Sequence, residues 1–156
     1  MLVHELSADE CLAILACSEF ARLACAHDNQ PYIVPVFYAF DASRRCLYAF
    51  STVGQKIEWM RENPLVCVEV EDIRDKTHWT TVLVFGRYEE LGDSAEDVSA
   101  RQTAQRLFQD RPEWWLPGAA KVPTRDEHAA VVVYRIHIDR MTGRRAGGRG
   151  PFPTNS

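Results

Sequence analysis

The sequence predicts a mainly β protein of the α+β class: a small antiparallel barrel of six strands with about three helices attached. Six stretches rich in β-branched and aromatic residues follow one another, and several are joined by short turns. Three other segments carry helix start signals, but they do not alternate with the strands as a parallel βαβ layout requires. The chain of 156 residues is 46% hydrophobic, which suits one domain with its own core.

The predicted helices are identified by the signals at their ends. The first begins at the capping box Ser7-Ala8-Asp9-Glu10, in which the Ser7 hydroxyl and the Glu10 side chain each accept the other residue's backbone amide. The second spans Gln55–Glu62 and ends at Asn63-Pro64, because the residue before a proline avoids the α region. The third opens at Asp93-Ser94-Ala95-Glu96 and runs to Arg111-Pro112.

One of the predicted strands is apolar on both faces. In residues 32–40, Ile33 and Phe37 share one face, and Val34 and Val36 share the other. A strand with one solvated face would alternate between apolar and polar residues. We therefore expect a helix, a cofactor or another subunit to cover the second face. The full set of predicted strands is residues 21–26, 32–40, 46–51, 66–70, 80–91 and 129–140.

Composition excludes several classes of function. Eighteen basic and 22 acidic residues are interspersed and give a formal net charge of −4, which does not indicate a nucleic-acid-binding surface. The N-terminus has no signal-peptide pattern and no apolar run is long enough to cross a membrane, so we expect a cytoplasmic protein. The five cysteines and five histidines show no metal-ligand spacing, so no metal site is predicted.

The segment Ser51-Thr52-Val53-Gly54-Gln55-Lys56 is the strongest local candidate for a binding site. It leaves a predicted strand and opens a helix, and free amides at a helix N-terminus attract anions. Lys56 would add a positive charge there. The same residues also fit an ordinary helix cap beside a solvated lysine, and the spacing is not that of a Walker A motif. From this segment, both interpretations remain open.

Other candidates have equally simple structural explanations. Trp79, Trp114 and Trp115 lie in or next to connections, where an aromatic ring can cap a barrel or stack on a planar ligand. Arg135 and His137 lie in the last predicted strand and fit either an anion contact or a solvated strand end. No GxSxG motif is present to support a Ser/His/Asp triad.

Seven segments occur in a characteristic order along nearly the whole chain. Together they resemble the flavin-binding split barrels related to pyridoxamine 5′-phosphate oxidase, and within that family the branch of nitroimidazole-resistance-type proteins. The segments are Ala21-Arg22-Leu23-Ala24, Pro31-Tyr32-Ile33-Val34-Pro35-Val36, Leu47-Tyr48-Ala49-Phe50-Ser51, Gly54-Gln55-Lys56-Ile57, Asn63-Pro64-Leu65-Val66-Cys67, Val84-Phe85-Gly86-Arg87-Tyr88-Glu89-Glu90-Leu91 and Met141-Thr142-Gly143-Arg144.

The resemblance implies a split-barrel domain over residues 1–146 that forms a homodimer with two FMN molecules at the subunit interface. Residues 147–156, rich in Gly and Pro, are expected to form a flexible tail. An aromatic residue of the Trp114-Trp115 segment would come from the other subunit and cover the flavin ring. The implied cofactor-binding residues are Ser51, Thr52, Gln55 and Lys56 around the phosphate, Val34, Pro35 and Val36 along the isoalloxazine ring, and Thr80 and Thr81 at its polar edge.

Two departures from the family pattern limit what the resemblance implies about the reaction. The C-terminal Trp- and Arg-rich motif that grips the substrate of pyridoxamine phosphate oxidases is absent, and Phe50 stands where nitroimidazole reductases often have His. The expected function is therefore an FMN-dependent oxidoreductase acting on a small molecule, with NAD(P)H as a candidate electron donor and no side chain named as catalytic. The alternatives are a non-catalytic flavin carrier or sensor, and the same barrel with F420 or haem.

Overall fold

A computed structural model describes residues 2–109 and 131–147 of the chain. Every strand pairing in this part is antiparallel, and the sheet order is β3-β2-β6-β7-β8-β5-β4, with β1 paired to β8. The described elements are β1 Val3–Glu5, α1 Ala8–Cys17, β2 Phe20–His27, β3 Gln30–Phe37, β4 Ala39–Asp41, β5 Cys46–Thr52, α2 Gln55–Glu62, β6 Leu65–Ile73, β7 Trp79–Glu90, α3 Ala95–Gln109 and β8 Val131–Ala146.

The predicted mainly antiparallel architecture with three helices is confirmed. The Ser7–Glu10 capping box begins α1: the Ser7 amide donates to Glu10 Oε2 at 2.9 Å, and the Glu10 amide donates to Ser7 Oγ at 3.2 Å. Among the described helices, none combines the length and apolarity needed to cross a bilayer. The Trp114-Trp115 segment and the predicted tail beyond Gly147 lie outside the described residues.

Strand boundaries differ from the prediction where long-range contacts intervene. The single strand predicted over residues 32–40 is divided into β3 and β4 at Tyr38. The Tyr38 amide donates to the Glu19 carbonyl, and its hydroxyl donates to the Leu15 carbonyl at 2.8 Å. These bonds draw Tyr38 toward the end of α1 and out of the sheet ladder, so β4 pairs with β5 instead of continuing β3.

β8 is longer than predicted and ends at Ala146 instead of residue 140. Its last residues pair with β1 and with the beginning of β7, and neither pairing has a local sequence signal. β1 was not predicted, because it has only three residues, all exposed. With β1 and the separate β4, the described strands number eight, against the six expected.

Two apolar clusters hold the elements together. The larger fills the barrel and includes Leu23, Val82 and Tyr134, with α1 and α2 packed against it. The smaller lies between α3 and the β4–β5 hairpin, where Ala100 and Ala104 are almost completely buried. Because small residues allow close approach, α3 lies tightly over β5, and this places Phe108 beside Phe50.

Candidate functional site

A pocket of 140 Å³ lies where β3 approaches β5, bordered by α2 and α3. It brings together three of the residues predicted from the sequence, which come from β3 and from the start of α2. These elements are far apart along the chain, so barrel closure creates the pocket. Its lining residues are Pro35, Val36, Phe37, Phe50, Lys56 and Phe108.

The N-terminus of α2 faces this pocket without a side-chain cap. Gly54 is the N-cap residue, its backbone is extended, and no side chain accepts a hydrogen bond from the first turn. The Ser51 hydroxyl is buried and donates to the Thr52 carbonyl at 2.9 Å instead. The segment caps the helix through Gly54 without a capping side chain, so the first amides of α2 remain available to an anion.

Lys56 is a half-buried cation on the wall of the pocket. Among the described residues, no carboxylate lies within ion-pairing distance of its ammonium group. Burial lowers the pKa of Lys56 because the charged form loses hydration, and the Coulombic interaction with Cys25 offsets this loss only in part. An anion bound beside Lys56 would supply that compensation, so the pocket has the charge and donors of an anion site.

The other residues predicted around the cofactor take different positions. Val34 packs against the main core, whereas Pro35, its neighbour on β3, is exposed on the opposite face. Thr52 and Gln55 are exposed on either side of Gly54 and do not line the pocket. The segment therefore presents Lys56 to the pocket, together with the uncapped amides.

Thr80 and Thr81 point to opposite faces of β7. Thr80 is buried, and its hydroxyl accepts a hydrogen bond from Arg145 Nε at 3.4 Å. Thr81 lines a second, mainly apolar groove of 870 Å³ with Trp79, Ile73 and Leu83. Since β2 and β6 separate β3 from β7 in the sheet, one chain does not bring Thr81 into the Lys56 pocket.

Three aromatic residues of the pocket, Phe37, Phe50 and Phe108, are not among the site residues predicted from the sequence. Phe50 and Phe108 pack edge to face, with ring centroids 4.8 Å apart and an interplanar angle of 67°. In the sequence, Phe50 is a departure from the family pattern, and Phe108 belongs to the apolar face of a predicted helix. The spacing within α3 indicates that Phe108 is buried, but no local signal indicates what it contacts.

Arg135 and His137 contact carboxylates of the protein itself instead of facing the pocket. The Arg135 guanidinium is buried and donates to Glu89 at 2.7 and 3.1 Å and to Glu96, in the first turn of α3, at 3.3 Å. His137 also contacts the Glu89 carboxylate. The hydrogen bond from Arg135, more than that from His137, lowers the pKa of Glu89 to about 2. This network joins β7, β8 and α3 and does not line the pocket.

Replacing Glu89 with glutamine is expected to destabilise the fold by about 2 kcal/mol at neutral pH, because it leaves the buried Arg135 charge poorly paired. The expected loss is smaller than for a fully buried pair because the Glu89 side chain is 42% exposed and water screens it. Urea unfolding of wild type and variant measures the difference. Since folding lowers the pKa of Glu89 from 4.5, its contribution is complete above pH 4.5 and is lost as the pH falls toward about 2.

Asp139→Asn is the matched control for this substitution. Asp139 pairs with Arg87 at 3.0 Å between the same two strands, but both side chains are exposed. The control is expected to lose much less stability than Glu89→Gln, because solvent screens an exposed ion pair. If the two variants lost the same free energy of unfolding, burial of Arg135 would not increase the stabilisation that the Glu89 pair provides.

The outer face of the sheet carries an apolar row over which no described helix or strand packs; the Arg140 guanidinium lies over one end of it, 3.8 Å from the centroid of the Phe85 ring. Strand register places Ile33, Ala24, Cys67 and Phe85 side by side across β3, β2, β6 and β7. Each of the four is exposed or half-exposed, and Ile33 is 58% exposed. The doubly apolar strand predicted from the sequence thus has one face on the core and one face uncovered, which is typical of an interaction surface.

Comparison with known proteins gives matches over nearly the whole chain. The family model described as pyridoxamine 5′-phosphate oxidase matches residues 7–145. An uncharacterised protein of Rhizobium meliloti (strain 1021) is 41% identical over 148 residues, covering 94% of this chain and 97% of the relative. The crystal structure of a FAD-binding protein from Mesorhizobium loti is 44% identical, with a TM-score of 0.77, covering 94% of this chain and all of that one.

A more distant structural match concerns the branch that the sequence resembles. A candidate 5-nitroimidazole antibiotic resistance protein from Bacteroides thetaiotaomicron is 17% identical, with a TM-score of 0.63, covering 95% of this chain and 93% of that one. At this identity the match supports the fold alone. The family match and the two close relatives carry the assignment: this chain belongs to the pyridoxamine 5′-phosphate oxidase-like family of flavin-binding split barrels.

Proposed function

We propose that the protein is a flavin-dependent oxidoreductase that holds the phosphate of its cofactor at Lys56. The observation that carries the proposal is the half-buried Lys56 ammonium, which has no carboxylate partner among the described residues and lies beside the uncapped start of α2. A positive side chain and free helix amides together form a phosphate site. FMN is the cofactor predicted from the sequence, whereas the name of the Mesorhizobium loti relative favours FAD.

We further propose that the site is completed by a second copy of the chain. The Lys56 pocket of 140 Å³ is smaller than the roughly 300 Å³ at the lower end of ligand pockets. A homodimer that buries the apolar row beginning at Ile33 would cover the exposed sheet face. It would also allow the groove beside Thr81 of one chain to border the cofactor bound at Lys56 of the other.

The residues of this chain bind and orient the cofactor in the proposed mechanism. A bound flavin supplies transfer of a hydride or of paired electrons. Lys56 neutralises phosphate charge, and exposed Pro35 offers an apolar surface to the ring system. Phe37 and Phe50 exclude water from the same pocket. The substrate proposed is a small molecule, and the electron donor proposed is NAD(P)H.

Native mass spectrometry of the purified protein tests cofactor and assembly together. We expect two chains with two flavins in one complex, a yellow solution with the absorption bands of oxidised flavin, and a released cofactor whose mass distinguishes FMN from FAD. A colourless protein that takes up neither FMN nor FAD would disprove flavin binding. A flavin-loaded monomer would disprove the composite site while leaving the phosphate role of Lys56 intact.

Turnover is tested separately, because a flavin carrier would bind the cofactor equally well. NADPH is expected to bleach the flavin absorption of the holoprotein, and an added quinone is expected to restore it over repeated cycles. If neither NADPH nor NADH reduces the flavin in a holoprotein that dithionite does reduce, the NAD(P)H-dependent activity is disproved and the carrier alternative is favoured.

A further inference from the structure

The larger groove, which Thr81 lines, has an apolar floor built from two neighbouring strands. Ile73 of β6 and Trp79 of β7 lie directly opposite each other in the strand register, and Leu83 follows on the same face of β7. Ile73 is 62% exposed, so this floor is open to a ligand. An indole ring beside aliphatic side chains favours a flat, aromatic ligand. The groove volume of 870 Å³ lies within the range of roughly 300–1,000 Å³ that is usual for small-molecule sites.

Two cations that line this groove have no ion-pair partner in the described part of the chain. Arg144 lies on β8 and Lys76 lies in the connection between β6 and β7, and both are exposed. Among the described residues, no carboxylate is within ion-pairing distance of either side chain. A free guanidinium beside an apolar floor is suited to a carboxylate, which it binds through two parallel hydrogen bonds.

The acidic residues of the groove limit the charge of the ligand that it can bind. The Asp75 carboxylate is occupied within its own turn, where it accepts hydrogen bonds from the Thr77 amide at 2.7 Å and from the His78 amide at 2.9 Å. Glu5 is the cross-strand neighbour of Arg144. Its negative charge would oppose a phosphate dianion more strongly than a carboxylate. The groove therefore favours a ligand with a single negative charge.

We infer that this groove binds a planar aromatic carboxylate as the substrate of the proposed oxidoreductase, with its ring on Trp79 and its carboxylate at Arg144. The inference rests on the proposed function and names the class of its small-molecule substrate. The carboxylate is the group by which the substrate is recognised, and Lys76 adds a second positive charge that attracts it. In the proposed dimer, the groove borders the flavin of the other chain, so a ligand bound there lies beside the ring that exchanges electrons.

Calorimetric titration of the flavin-loaded protein with a matched pair of probes tests the inference. Cinnamate is a planar aromatic carboxylate, and cinnamamide has the same ring and side chain without the charge. We expect cinnamate to bind about tenfold or more tightly than cinnamamide, because only cinnamate forms charge-assisted hydrogen bonds with Arg144. The difference should shrink at high salt, since both cations are exposed. Cinnamate should also shift the flavin absorption bands, because it lies beside the flavin ring.

Two substitutions separate the effect of the charge from the effect of the apolar floor. Arg144→Gln is expected to lower the affinity for cinnamate toward that for cinnamamide. Trp79→Leu is expected to weaken both probes by a similar factor and to preserve their ratio. Arg106→Gln is the matched control, because it removes an exposed positive charge on α3 that lines neither cavity, and it should keep the wild-type ratio.

The outcomes distinguish failure of the inference from failure of the proposed function, because flavin content is measured on the same sample. Equal affinity for the two probes, or an unchanged ratio in Arg144→Gln, would overturn the inference in a protein that still binds flavin. Binding of cinnamate without a change in the flavin spectrum would overturn it as well, since the ligand would then lie away from the cofactor. A protein that takes up no flavin would overturn the proposed function and the substrate class with it.

Discussion

Replacing Lys56 with methionine is expected to weaken flavin binding by about 100-fold, because it removes the positive charge that faces the phosphate and leaves the pocket volume nearly unchanged. No other described lysine or arginine lines this pocket to replace it. The uncapped amides of α2 should sustain the residual affinity. Titration with FMN and with FAD, followed by flavin fluorescence, measures the loss for each cofactor.

Arg106→Met is the control for this variant. Arg106 is exposed on α3 and lines neither the phosphate pocket nor the larger groove, so its removal changes the net charge of the chain equally without touching either one. We expect wild-type affinity to within about twofold, since exposed charges are screened by solvent and salt. If Lys56→Met retained flavin as well as Arg106→Met does, the phosphate would have to bind elsewhere.

The same lysine should make flavin binding depend on pH. Burial lowers the pKa of Lys56 in the free protein, and a bound phosphate favours the charged form and raises it. Affinity should therefore be greatest at pH values below the free pKa and fall as the pH rises toward the pKa of the complex. The decline should begin below the pKa of about 10.4 of an ordinary lysine. It should be absent in Lys56→Met.

Replacing Gly86 with alanine is expected to destabilise the fold by about 3 kcal/mol and to lower the Tm by about 10 °C. Gly86 is buried in β7 where the register with β8 shifts. A Cβ atom there would collide with the backbone carbonyl oxygen of His137 and would lie 2.9 Å from Ile136 Cγ2. Because the carbonyl belongs to the sheet backbone, relief requires the two longest strands to separate locally.

Thermal unfolding of Gly86→Ala beside Gly92→Ala tests the effect of this close approach. A Cβ at Gly92 would meet only the Asp97 carboxylate at 3.4 Å, an ordinary contact. The Gly92 substitution should change the free energy of unfolding by less than about 0.5 kcal/mol. A Tm for Gly86→Ala within a degree of the Gly92 variant would show that the strands accommodate the methyl group without cost.

Local sequence signals were sufficient where the deciding interactions lie within a few residues. Ser7 and Glu10 bond each other across one helical turn, so the start of α1 could be predicted from four residues. The end of α2 depends on the adjacent residues Asn63 and Pro64. The apolar face of α3 depends on apolar residues three or four positions apart. The alternation and the turns between successive segments predicted the antiparallel strands for the same reason.

Contacts between residues far apart in the sequence determine which side chains meet, and local sequence signals do not predict them. Arg135 meets Glu89 although 46 residues separate them, and Tyr38 leaves the ladder because the end of α1 lies beside it. The family resemblance already implied Lys56 as a phosphate-binding residue, but only the fold shows that it is half-buried and has no carboxylate partner among the described residues. Phe108 joined Phe50 because α3 packs across β5. Sequence periodicity indicates which face of an element is buried, but the identity of the covering residue depends on how the elements pack in three dimensions.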